Sequence, residues 1–385
     1  MKTIFKSSLL LIPFLVMQKI NAQDCTPQLL AQKPGQWKKL ADVNGNFPGA
    51  ELSRAKKMVG LLSKVMFDVY PQPKGCEARW YESYSSSIYD IGLLPAYEFT
   101  SLYLMYYCKS NKKDFVVGDE TDDWIYIKVN YCGWLNDFLT VNGKKYWTMK
   151  RPTEVKDGIL SYIYPNSSSS FYYSNKDTLL NLWNYAWLIT YPGKLPYIPV
   201  NRKEYLLEAR QEVVKKQSEM TESEKKNTTI RPAAEQEAAK QKEVEYYKKN
   251  YPDNPRRWQR YLEDYKTDEQ RLQASIDYQT KQYQATLKIM DDLLKNLSAE
   301  ELQKPAIVSE MAKDFKGFED DFNERNANML IRWNPDYFNK KLPVATPQFF
   351  TIVLRENPAD IPAEELSRQF RQKFDFKALA ALLGK

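Results

Sequence analysis

From Gly193 to Gly317 the chain contains no glycine. Such a gap favours continuous helix, because glycine costs about 1 kcal/mol in a helix interior. Within it, residues 201–300 carry 20 Lys/Arg against 19 Asp/Glu, the mixed charge of solvent-exposed helical faces. Asn201 and Glu204 form a capping-box pattern that starts a helix. KKNTTIRP (225–232) and NYPDNP (250–255) interrupt it. Beyond them Trp258, Leu262, Tyr265, Leu272, Ile276, Tyr283, Leu287, Met290, Leu294 and Leu297 fall on one stripe of three- and four-residue steps, broken by Glu269 and Gln279. This predicts a rod that packs along a partner helix. The preferred partner is the helix of 202–249 in the same chain, giving a helical hairpin; a second copy is the alternative. Ser298 and Glu301 repeat the capping signal.

The chain before the gap has a different character. Leu52, Ala55, Val59, Leu62, Val65 and Met66 predict one helix between Pro48 and Tyr70. Seven of the nine tryptophans lie between Trp37 and Trp187, among runs of strand formers such as 97–108 and 123–132. In the second run Ile125, Ile127, Val129 and Tyr131 alternate with Trp124, Tyr126, Lys128 and Asn130, as in an antiparallel strand with one solvated face. Asn142-Gly143 predicts a type I′ turn, with Phe138 opposite Trp147 and Leu139 opposite Tyr146. After the gap, 327–333 and 347–355 read as strands and 363–383 as an amphipathic helix. The expected fold is α+β: an antiparallel aromatic-rich sheet, an inserted helical hairpin and a C-terminal α/β segment returning to the body. The boundaries are a signal peptide (1–22), a disulfide-containing body (23–200), a charged arm (201–300) and the C-terminal strands and helix (301–385). Pro196, Pro199 and the Asn201 cap make the stiff joint between body and arm.

Lys2 and Lys6 precede an apolar Ser8–Met17 stretch too short to span a bilayer, and Ala22 precedes the expected cleavage point. These features predict export to the periplasm, the cell surface or beyond, with no transmembrane segment in the mature chain. Four cysteines then suggest two disulfides. The expected pairs are Cys108–Cys132, each ending a strand-like run, and Cys25–Cys76. The net charge of +7 is spread along the chain, which argues against a nucleic-acid face.

The chain has no histidine. That removes the Ser-His-Asp triad, histidine-ligated metals and imidazole bases. No P-loop, G-x-G-x-x-G or G-x-S-x-G is present. No cofactor is expected, apart from calcium on the oxygens of Asp119, Asp122 and Asp123. Glu319, Asp320, Asp321 and Glu324 are the carboxylates available to a histidine-free hydrolase. Trp124, Tyr126, Trp134 and Trp147 are the rings for a glycan platform, if they are exposed rather than core.

PYIPVNRKEYL (196–206), YPQPKGCEARWY (70–81) and NPDYF (334–338) resemble stretches in uncharacterised exported proteins of Gram-negative bacteria. The resemblance implies a compartment and no catalysis. The functional expectation is an exported, non-enzymatic binding or scaffold protein of the cell envelope. Its arm would contact a protein partner or a second copy. A glycan-binding protein and a carboxylate-based hydrolase are the alternatives.

Overall fold

A computed structural model describes residues 25–85, 94–111, 113–131, 138–141, 144–149, 151–165, 183–309, 312–319 and 327–385. The expected signal peptide and the Asn142-Gly143 turn lie outside the described residues.

The chain opens with α1 (Pro27–Gln32), capped by Thr26, then β1 (Trp37–Lys39) and β2 (Val43–Asn44). The helix read at 48–70 is α2 (Gly49–Val69); Ala55, Val59, Leu62 and Met66 of its stripe are buried. There follow β3 (Cys76–Ser85), β4 (Ala96–Cys108), β5 (Phe115–Val117) and β6 (Trp124–Val129). The hairpin is β7 (Phe138–Val141) and β8 (Lys144–Met149), in the expected register of Phe138 with Trp147 and Leu139 with Tyr146. Next come β9 (Glu154–Lys156), β10 (Ile159–Pro165), β11 (Trp183–Ile189) and β12 (Tyr197–Pro199). Helices α3 (Arg202–Asn227), α4 (Ala233–Asn250), α5 (Arg256–Asp264), α6 (Asp268–Asn296) and α7 (Ala299–Gln303) fill the glycine-free span. The chain closes with β13 (Ile307–Val308), β14 (Asn328–Trp333), β15 (Phe350–Glu356), α8 (Ile361–Lys373) and α9 (Phe376–Ala380).

The described strands form two sheets. The larger runs β1-β3-β4-β6-β15-β11-β10-β9, with β2 on β3 and β5 on β4; the smaller runs β12-β14-β8-β7, with β13 on β14. Pairings between described strands are antiparallel except those of β1 and β2 with β3. The fold is α+β, as expected, but the hairpin and β14 belong to the second sheet.

Three cores stack in order. The first lies between the large sheet and the helices α2 and α8, where Leu62, Ile127, Ile352 and Phe370 are fully buried. The second lies between the two sheets and holds Trp124, Leu188, Val353, Met149 and Ile331. The third joins the outer face of the small sheet to the arm, through Val141, Leu330, Leu206, Val213 and Met290. This stacking corrects the expectation for β6. Its Trp124 face is covered by the small sheet rather than solvated, so Trp124 is only 6% exposed. Lys128, on the same face, pairs with its cross-strand neighbour Glu98 at 2.7 Å.

The disulfide pairing also differs. Cys25 joins Cys108, and Cys76 is a buried free thiol at the start of β3. Cys132 lies outside the described residues. Neighbouring antiparallel strands end at opposite edges of a sheet. Register places Val129 beside Tyr97, so a rise of about 3.3 Å per residue puts the end of β6 roughly 36 Å from Cys108. Cys76 is opposite Met105 in β4 and packs into the helical side of the sheet. Gly75 turns the chain into β3 with φ 71°; a Cβ there would stand 2.4 Å from Pro362 Cγ.

The Cys25–Cys108 bond closes a separation of 83 residues, which corresponds to about 4.5 kcal/mol of unfolded-state restraint. Cys25→Ser should lower stability in urea by about 2–4 kcal/mol. A non-reduced digest should yield a Cys25–Cys108 peptide, and a linked peptide containing Cys76 would contradict the pairing.

Candidate interaction surface

The arm is rooted in the small sheet. β12 pairs Tyr197 with Trp333 and Ile198 with Arg332. Asn201 then caps α3, its Oδ1 accepting the Glu204 N–H at 2.8 Å. Arg202 is 6% exposed, with its guanidinium 5.0 Å from the Phe318 ring centre. The antiparallel pair α3 and α6 follows, as the helical-hairpin expectation required. Arg210 donates to Asp291 at 2.8 Å near the root, and Gln279 to Glu224 at 2.9 Å further out. Tyr205, Leu206, Ala209, Val213 and Met290 are fully buried at the root, while no side chain of α3 is buried beyond Val213. The outer shaft is therefore held by a thin seam of half-buried Leu272 and Ile276 and by polar contacts.

The rod read from Trp258 to Leu297 is two helices. It breaks at Tyr265–Thr267, where Thr267 and Gln270 form a capping box. An elbow fixes the break. Arg231 binds Asp268 through two 2.8 Å hydrogen bonds, and Gln236 Oε1 accepts the Asp268 N–H at 2.7 Å. Those bonds from Arg231 hold the Asp268 carboxyl down at about 2. Beyond the elbow α4 and α5 pack on each other.

The sequence-predicted sites are dispersed. Trp124 stacks on Tyr126 with ring centres 4.1 Å apart, and Trp147 meets Trp333 edge-on at 5.7 Å. All four rings line the core between the sheets; Trp134 lies outside the described residues. Asp119 sits on an exposed turn. Asp122 accepts from Arg355 at 3.0 Å, and Asp123 from the Asn357 N–H at 2.7 Å. Among the described residues no three acidic, cysteine or histidine side chains gather to hold a metal ion. Glu319 accepts from Ser309 at 2.9 Å; Asp320, Asp321 and Glu324 lie outside the described residues. Two clefts of about 370 and 400 Å³ flank α1; in the larger, Arg368 is already paired with Glu365.

One constellation had no sequence signal. Asp123 is 1% exposed and shares its site with Asp360 at the start of α8, where Asn357 Nδ2 donates to Asp360 at 3.1 Å. Burial, with the nearby charges of Asp360 and Asp122, pushes Asp123 up to about 8. Burial and the charge of Asp122 raise Asp360 as well. Burial thus favours the protonated form of both carboxyls. No family model, curated protein or solved structure matches the chain.

A raised carboxyl binds its proton in the native state where the unfolded chain has released it. Its stabilising effect is therefore complete below about pH 4 and is lost as pH rises towards 8. Urea unfolding should show stability falling across that window by up to about 1.4 kcal/mol per pH unit. Asp123→Asn should flatten the slope; an unchanged slope would exclude the pair as its source.

Proposed function

We propose that this chain is an exported, non-enzymatic binding or scaffold protein of the cell envelope that makes protein contacts through its helical arm. The carrying observation is the arm's construction: a charged helix pair anchored at its root and bare along its length. Leu207 and Val214 lie seven residues apart on one side of α3 and are 46% and 47% exposed; Tyr278 of α6 is 67% exposed. Rigid helices carrying isolated apolar residues in a charged surround suit partner recognition more than catalysis. The Cys25–Cys108 bond is compatible with an oxidising compartment, and no described helix is long and apolar enough to cross a membrane.

Photo-crosslinking amino acids at Val214 and Tyr278 should give discrete protein adducts in cells. The same probe at Val155 and Ile163, exposed on the edge of the large sheet, should give none. Adducts from the sheet edge alone would contradict the proposal.

A further inference from the structure

The end of the arm differs chemically from its shaft. Residues 246–260 carry five basic side chains, Lys248, Lys249, Arg256, Arg257 and Arg260, against the single acid Asp253. The flanking stretches 233–245 and 261–266 reverse the balance, with three basic and six acidic residues. The arm is thus positive at its tip and negative behind it.

Aromatic rings share the tip. Arg257 lies 3.9 Å over Tyr251, and Lys248 lies 4.8 Å over Trp258. Beneath them Tyr247, Tyr261 and Tyr265 form a ladder, with successive ring centres 5.7 and 5.9 Å apart. This ladder joins α4 to α5 behind the turn. Tyr246 remains 50% exposed. Two of these charges are poorly placed for helix stability, whereas Lys248 and Lys249 close α4, where positive charge is favoured. Arg256 and Arg257 open α5, whose first turn has no acid, although the helix dipole favours negative charge there. Their position points to an anion outside the chain.

We infer that the tip of the arm, Tyr246–Arg260, docks on the anionic headgroups of a phospholipid bilayer. Every residue from Lys248 to Arg257 is exposed, so the tip is convex and offers no groove to enclose a peptide. A planar surface meets the α4–α5 turn first, where Lys248, Lys249, Arg256 and Arg257 flank the single acid Asp253; Glu243, Glu245 and Glu263 lie further along the helices, and Asp264 pairs with Arg260 at 3.5 Å. An anionic polymer lying along the arm would run against those acids. Tyrosine and tryptophan beside Lys and Arg match the headgroup region, which takes an aromatic body and a cationic neighbour together. α3 alone rises about 39 Å at 1.5 Å per residue, so the elbow at its outer end stands away from the body. This docking is additional to the protein contacts proposed for the shaft and does not depend on them.

The test is co-sedimentation of the chain from Gln23 onward with vesicles of phosphatidylglycerol and of phosphatidylcholine. Phosphatidylglycerol should be preferred by about tenfold or more at low salt, and the preference should vanish near 0.5 M salt. The variant Lys248→Glu/Lys249→Glu/Arg256→Glu/Arg257→Glu changes only exposed residues and should keep its circular dichroism while losing the preference. Tyr246→Ala/Tyr251→Ala should weaken binding without altering its salt dependence. Equal binding to both lipids, or phosphatidylglycerol binding unchanged in the four-charge variant, would overturn the inference. So would retention of single-stranded DNA or polyglutamate in place of phosphatidylglycerol vesicles. Crosslinks from Val214 and Tyr278 report separately on the shaft.

Discussion

The whole architecture depends on β15. In the large sheet β6 and β11 do not touch; each pairs with β15, which supplies hydrogen bonds to both. Its residues Phe350–Leu354 are buried on both faces. A strand near the end of the chain therefore joins two groups of strands made long before it. The N-terminal group cannot complete its sheet until the residues between Val129 and Phe350 have been looped out. Such closure adds little to the equilibrium cost but places a non-local pairing at the centre of folding. Looping out also explains why the arm leaves and re-enters at one place. Asn201 bridges to Pro305, and the Arg202 N–H donates to the Lys304 carbonyl at 3.0 Å.

The small sheet acts as an adaptor. One face packs on the large sheet and the other on the root of the arm. Leu330 faces α3 while its neighbour Ile331 faces the large sheet, the alternation expected when both faces of a strand find partners. Stability should fall outward from this root. Val213 and Met290 are fully buried there, whereas α5 has no buried residue. A stiff arm with a thinly packed end is suited to reaching a surface or partner while the body stays intact.

Much of this was legible in the residues, for identifiable reasons. α2, the β7–β8 register and the α3 start follow from local spacing, turn and cap chemistry, which act over a few residues. The break before α6 was hidden because Tyr265 continues the apolar stripe; the Thr267–Gln270 pattern was the signal that could have revealed it. The second sheet was missed because β12 and β13 are only three and two residues long. The aromatic platform looked plausible because alternation cannot tell a solvated face from one covered by a second sheet. The pairing of Asp123 with Asp360 joins residues far apart in sequence, and no short motif encodes it. The basic, aromatic tip was present in the composition of 246–260, but only the α4–α5 turn gathers it at one end.

On this structure β15 locks the body, while the end of the arm is a separate, less stable unit. Native-state hydrogen exchange separates the two. Peptides covering β6, β11 and β15 should exchange together and slowest, and those covering α4 and α5 should exchange orders of magnitude sooner. Exchange of β15 ahead of its two neighbours, or protection of α4 and α5 equal to theirs, would contradict the account.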